Sequence, residues 1–201
     1  MPVNFAIPRP QDLNNESDVE QKLVYPLLVS DSPSGLGLGS FKILTKANIR
    51  RFPIGKGNDR KIYFPDYVVT NGGFPLVVLE AKSPGEDLEE AFREARLYAA
   101  ELNAIFTTGV NPLTKVVATD GRGLIAGSWD HVEPSIVMTL SELAPASEKM
   151  AALYSLIIRL PAQAEVGGSA VPGARIFRSI RNMPRRARSR PCGWGRTIPQ
   201  E

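Results

Sequence analysis

Leu76-Val77-Val78-Leu79-Glu80-Ala81-Lys82 is the stretch on which the fold turns. Residues 76–81 form a short, nearly unbroken apolar run, and Ser83-Pro84-Gly85 stops it. Such a run is expected of a strand covered on both faces, which requires a layer on each side of a sheet. Just upstream, Asn71-Gly72-Gly73 offers a turn, and residues 61–70 carry Ile62, Phe64, Val68 and Val69 as the apolar content of a second strand. The two strands are predicted to pair as a hairpin. Asp66, in Phe64-Pro65-Asp66-Tyr67, is then about as far from the turn as Glu80 and lies beside it.

Side chains alternate along a strand, so Glu80 and Lys82 share a face while Ala81 points away. Two acids and a lysine on one face of an apolar sheet repel, or lose hydration, unless a partner resolves them. A divalent cation resolves the acids and a phosphate resolves the lysine, which points to metal-dependent cleavage of a phosphodiester. The bland alternative is a solvated hairpin whose Glu80–Lys82 ion pair contributes about 0–1 kcal/mol. Val77-Val78-Leu79 argues against it by marking the strand as interior.

A chain of 201 residues supports one good core with room for an appendage. The single cysteine, Cys192, excludes an internal disulfide framework and suits a reducing cytoplasm. No apolar run approaches the roughly 18 residues that span a bilayer. The first ten residues lack the basic start and apolar core of a signal peptide, so a cytoplasmic protein with no membrane partner is expected. Charge is unevenly spread: residues 1–174 hold sixteen Lys and Arg against twenty acids, whereas from Arg175 onward eight Arg face only Glu201. That basic arm suits phosphate contacts with nucleic acid. Its Pro, Gly and Arg content equally reads as a disordered end, or as an abnormal terminus left where a longer gene was interrupted. The expected organisation is an irregular lead-in at 1–13, an α/β domain at 14–161 and a basic, disordered tail at 162–201.

Within the domain, Asn14 or Asn15 offers an N-cap, and Glu16-Ser17-Asp18 places acids in a first helical turn. Val19, Leu23, Leu27 and Leu28 form an apolar stripe, with Pro26 predicting a kink or an early end. Gly35, Gly37 and Gly39 invite a phosphate-loop reading, but no Gly-Lys-Ser/Thr follows and no ATP motif is present. Residues 41–49 are expected as a strand. Residues 86–103 are expected as a helix buried through Leu88, Ala91, Phe92, Ala95, Leu97, Tyr98 and Leu102. Strands are expected at 114–119 and 124–129, and an amphipathic helix at 141–160. A helix between the third and fourth strands implies a parallel pair inside a mixed sheet. His131 is the only histidine, so no histidine metal cluster or His-paired dyad exists, and it reads as a surface residue.

Order and residues together resemble the PD-(D/E)xK nuclease superfamily. Within it the chain resembles the N-terminal nuclease domain of the motor (R) subunit of type I restriction enzymes. The marks are Glu16-Ser-Asp-Val, Phe-Pro65-Asp66-Tyr, Val-Leu-Glu80-Ala-Lys82, Glu94-Ala-Arg-Leu-Tyr98 and Val-Ala-Thr119-Asp120-Gly121. The resemblance covers residues 14 to 130. It implies a restriction-endonuclease-like mixed central sheet with helices on both faces. It further implies a Mg²⁺-dependent DNA endonuclease (Mn²⁺ as substitute) in a restriction-modification system. Double-stranded DNA is then the substrate, with specificity and methyltransferase subunits as partners. By the same resemblance Asp66, Glu80 and the Ala81 carbonyl ligate the metal. Lys82 orients the attacking water or stabilises charge on the phosphate, and Glu16 completes the metal shell or holds its water; Glu16 is otherwise a simple first-turn acid. Glu94 departs from the pattern, which has Gln there. Glu cannot donate to a phosphate, so Glu94 and Tyr98, with Arg93 and Arg96 flanking, are candidate DNA contacts of altered chemistry. Tyr98 is as well explained as core. The rival reading is a nuclease-fold module, cut off from its motor, that binds DNA or a partner without cleaving.

Overall fold

The computed structural model describes residues 5–49 and 64–158. Its frame is a six-stranded sheet in the simple order β1 to β6: Ile43–Thr45, Tyr67–Asn71, Phe74–Ala81, Lys115–Thr119, Gly123–Ser128 and Ile136–Thr139. All neighbours are antiparallel except β3 and β4, which run parallel. The helix α4 (Leu88–Asn103) makes the crossover between them, as expected. The mixed sheet with helical layers is the restriction-endonuclease-like α/β frame that the sequence implies.

The hairpin holds. Tyr67 pairs with Leu79, Val68 with Val78 and Val69 with Val77. Gly72 and Gly73 close the turn at φ 57° and 85°, a left-handed path that only glycine takes at both positions without cost. A bulge between Val69 and Thr70 absorbs the odd residue, so Asp66, one residue before β2, falls across from Glu80. Residues 77–81 of β3 are all buried, the burial on both faces expected of the apolar run.

Two layers make that burial. Val68, Val78, Val116, Ala118 and Ile125 meet the α4 face formed by Ala91, Phe92, Ala95, Tyr98, Ala99 and Leu102. On the opposite face Val69, Val77, Leu79, Val117 and Met138 meet Val19, Leu23, Leu27 and Leu28 of the first helical segment and Met150, Leu153 and Ile157 of the last. Asp87 caps α4, its carboxylate accepting from the Glu89 and Glu90 amides at 3.0 and 3.1 Å. Leu97, expected on the buried side of α4, is instead 43 % exposed, because it falls between the Phe92–Ala95–Tyr98–Ala99 contact line and solvent.

The first helical segment starts where expected, Asn15 capping the Asp18 amide at 2.9 Å. It then changes character: α1 (Glu16–Asp18) opens into a π-helical turn (Val19–Val24) before α2 (Tyr25–Val29). In the wide turn the Tyr25 amide donates to the Glu20 carbonyl. Pro26 is the cause: it has no N–H to give, and its ring would strike the carbonyl four residues back in a regular helix.

Two expected elements take another form, and a sixth strand joins the sheet. Residues 41–49 are not one strand: β1 ends at Thr45, opposite Tyr67 where β2 begins, and α3 (Lys46–Ile49) follows. Among the described residues β2 offers no partner beyond Tyr67, and the chain turns and buries Ile49 under the α4 layer. Residues 136–139 form a further edge strand, β6, beside β5. The helix expected at 141–160 is two pieces, a 3-10 turn (Leu140–Leu143) and α5 (Glu148–Ile158), parted by Pro145 and restarted at Ser147, whose hydroxyl accepts from the Met150 amide at 3.0 Å. The lead-in before residue 5, the 61–63 part of the second strand, the close of the last helix at Pro161 and the Arg-rich tail all lie outside the described residues. No helix among those described is long and apolar enough to cross a membrane.

The turn between β4 and β5 is packed tightly against Leu13 and the first helical segment. Gly121, between β4 and β5, has φ 78°, and a Cβ there would lie 2.9 Å from the buried side chains of Leu13 and Val19. Gly121→Ala is expected to destabilise the protein by about 1–3 kcal/mol through backbone strain and overpacking, read as a lower denaturant midpoint.

Candidate functional site

Charged side chains collect at the C-terminal end of β3, where Glu80 and Lys82 stand close to Asp66 and Glu94. Ligands favour such positions in open α/β sheets. Ala81 pairs with Thr119, and the Lys82 amide donates to the Thr119 carbonyl at 2.8 Å, so the strand is held in register up to the charged residue. Beyond it, buried Asp120 accepts from the amides of Gly85, Arg122 and Gly123 at 3.1, 3.0 and 2.9 Å. The loop after Lys82 is therefore fastened to the β4–β5 turn, a role the Thr119-Asp120-Gly121 triplet did not announce in sequence.

Asp66 is 2 % exposed. One of its oxygens accepts from the Ala81 amide at 2.5 Å and the other pairs with the Lys46 ammonium. Glu80 is 5 % exposed. Its Oε1 lies 3.0 Å from Lys82 Nζ, while Oε2 is buried without any hydrogen-bond partner. Burial raises the Glu80 carboxyl well above the ordinary carboxylate range, and the nearby Asp66 charge pushes it the same way against Lys82. Burial likewise raises Asp66, opposed by Lys46 and by the Ala81 amide.

Lys82 is bracketed by acids, 3.0 Å from Glu80 and 2.7 Å from Glu94. Burial works to lower its ammonium, but the two carboxylates outweigh that and hold it above its ordinary value. Glu94, the departure from the family pattern, is thus a partner of Lys82. Tyr98 is buried one turn further along α4, its hydroxyl raised by burial and then by the Glu80 and Glu94 charges. It belongs to the core and borders the charged cluster at once. Arg93 and Arg96 do not join it: Arg93 pairs with Glu90, and Arg96 donates to the Trp129 carbonyl at 3.0 Å. Both line a separate groove of about 630 Å³ between α4 and β6. His131 is exposed, as expected.

Two contributors escaped the sequence reading. Glu20 stands one turn beyond Glu16, and oxygens of Glu16, Glu20 and Asp66 lie within 4.8 Å of one another. The Glu16–Glu20 spacing of four was the available signal. Lys46 is the other: its Nζ lies 2.9 Å from Glu16, 3.1 Å from Glu20 and against Asp66. Nothing in the sequence marks it, because it is thirty residues from Glu16 and sat inside an expected strand. The Tyr67 hydroxyl donates to the Glu20 carbonyl at 3.3 Å, tying the π-helical turn to β2.

The donor set suits a hard divalent cation. Glu16, Glu20 and Asp66 supply carboxylate oxygens within 4.8 Å of one another, and a cationic head already stands among them. Glu16 and Asp66 are therefore together, as expected, whereas Glu80 turns its bonded oxygen to Lys82.

Comparison with known proteins bears on this arrangement. Residues 40–129 match the family model described as type I restriction enzyme R protein N terminus. No curated protein and no solved structure gives a match. The matched segment runs from just before β1 through β5, and so includes Lys46, Asp66, Glu80, Lys82 and Glu94, while Glu16 and Glu20 lie upstream of it.

Proposed function

We propose, from the match of residues 40–129 to the type I restriction enzyme R protein N terminus, that the chain carries such a module and that the cluster is the catalytic centre of a Mg²⁺-dependent DNA endonuclease. The observation that carries the reading is the convergence of Glu16, Glu20 and Asp66, with buried Glu80 across the hairpin from Asp66. Asp66, Glu16, Glu20 and Glu80 would hold the cation, with the Ala81 carbonyl as a further oxygen donor. When bound, the cation would supply Lewis acidity to a phosphate oxygen and a source of nucleophilic water.

The chain's own residues do the rest. The Ala81 amide fixes one Asp66 oxygen and so aims the other into the pocket. Lys82 brings an ammonium to the strand end, where it binds a phosphate oxygen and stabilises the charge that grows there as the bond to the leaving oxygen breaks. Glu80 keeps Lys82 on the pocket side of the sheet through their 3.0 Å pair. Double-stranded DNA is the proposed substrate. The methyltransferase and specificity subunits of a restriction complex are the proposed partners, and the cytoplasm the proposed setting.

A second reading has its own observation: Glu94 holds Lys82 at 2.7 Å and adds an anion where a DNA phosphate would sit. On that reading the module binds without cutting. Supercoiled plasmid with Mg²⁺ or Mn²⁺ separates the two. Nicking by the wild-type chain that falls about a hundredfold in Lys82→Ala, with metal affinity retained, supports the endonuclease. An inert wild type that gains nicking on Glu94→Gln supports the restrained module. If neither protein nicks and neither binds metal, the catalytic reading is lost.

A further inference from the structure

Lys46 is not part of the Asp-Glu-x-Lys pattern, yet its ammonium is the most heavily paired cation in the pocket. It contacts three acids from two separate elements: Glu16 and Glu20 of the first helical segment, and Asp66 at the start of β2. Its head stands among the same three carboxylates whose oxygens lie within 4.8 Å of one another. Burial works to lower Lys46, and the three acids more than reverse it. Across the hairpin from Asp66, Glu80 is also nine-tenths buried, and its Oε2 has no hydrogen-bond partner.

We propose that Lys46 is a tethered counter-ion which occupies the cation position of this centre and is exchanged for the divalent metal when the site loads. The inference rests on the proposed metal centre and adds its regulation. An ammonium and a divalent cation cannot share three carboxylate oxygens: a divalent ion draws them to about 2.0–2.6 Å, and the space then holds no second cation. Like charge at that range adds to the exclusion. Entry of the metal therefore requires Lys46 to leave. The route is short, since Lys46 is 38 % exposed and sits at the first position of the four-residue α3.

Two functions follow from one residue. In the metal-free protein Lys46 neutralises acids that would otherwise repel one another, and so keeps the first helical segment and β2 in the geometry the metal needs. In the loading equilibrium it competes, because apparent affinity is the intrinsic affinity reduced by the fraction of molecules whose pocket is open. An unprotected acidic pocket would load at lower metal concentration but would be less stable while empty.

The test is calorimetric titration of Mn²⁺ and Mg²⁺ into the whole chain as wild type, Lys46→Gln and Lys46→Arg, with thermal melts of each metal-free protein. Lys46→Gln is expected to bind metal on the order of tenfold more tightly and to melt at lower temperature when metal-free. Lys46→Arg, which keeps the charge, is expected to bind as weakly as wild type. Metal binding by wild type that is unchanged or weakened in Lys46→Gln overturns the exchange and leaves the metal centre standing. Absence of binding in all three proteins overturns both, and a Lys46→Gln protein too unstable to titrate leaves the comparison to Lys46→Met, judged by the same outcomes.

Discussion

Asp66→Asn is expected to lower metal affinity by at least about a hundredfold and to abolish metal-dependent DNA nicking, while the metal-free protein stays folded. Asp66 is the residue on which both halves of the centre meet. It is the buried member of the Glu16–Glu20–Asp66 group, and its other oxygen is held by the Ala81 amide at the end of β3. Asparagine preserves the shape and keeps an acceptor for Ala81, so the hairpin end remains satisfied. It removes a charge that burial already disfavours, and Lys46 retains Glu16 and Glu20. What it removes cleanly is the anionic oxygen. Asp66→Ala differs, because it strands the buried Ala81 amide and should cost about 1–3 kcal/mol as well. Paired titrations and melts of the two variants therefore separate the ligand from the structural acceptor. Undiminished metal binding in Asp66→Asn would remove Asp66 from the metal shell.

Glu80→Gln is expected to stabilise the metal-free protein at about pH 8, by on the order of 1–3 kcal/mol, and to weaken the stabilisation that metal provides. Glu80 is held above the ordinary carboxylate range by burial and by Asp66, so the folded protein binds a proton there that the unfolded chain has already released. With more protons bound in the folded state, stability falls as pH rises. The favourable contribution is complete below the unfolded carboxylate range and is lost as pH climbs through it toward the raised folded value. Glutamine keeps the volume, can still accept from Lys82, and loses the charge. Wild type should thus approach the variant in stability near pH 5 and fall behind it near pH 8. Saturating Mg²⁺ or Mn²⁺ should close or reverse the gap for wild type alone, since ligand binding to the folded state adds stability by mass action. Parallel pH profiles for the two metal-free proteins would contradict the buried, strained carboxylate.

Both predictions depend on residues legible in the sequence, for reasons that differ. Period-two alternation places Glu80 and Lys82 on one face without reference to anything distant, and a glycine turn sets Asp66 opposite Glu80 by counting. The bulge at Val69 and Thr70 could have broken that count, but it lies where it restores the register. Glu16 was legible as a first-turn acid beside an apolar stripe. Glu20 repeats that signal one turn later, but a helical acid alone looks like ordinary solvent-facing charge.

Lys46 was not legible at all. Its role depends on where β1 runs out of partner strand and on where that end meets a helix thirty residues upstream, neither of which local pattern encodes. The same kind of dependence hid β6, whose four residues become a strand only because β5 offers them an open edge. Arg93 and Arg96 erred in the other direction: proximity in sequence to Glu94 suggested company, but helical rotation sends them toward Glu90 and the Trp129 carbonyl.

By itself the sequence determined the central hairpin, the crossover helix, the face that Glu80 and Lys82 share and the family pattern, because each follows from short-range periodicity and turn chemistry. Only the tertiary structure decided how the charges are shared: Lys46 among three acids, Lys82 between Glu80 and Glu94, and one oxygen of Glu80 with no partner. Charge pairing is a matter of distance in space and of burial, and a linear pattern carries neither.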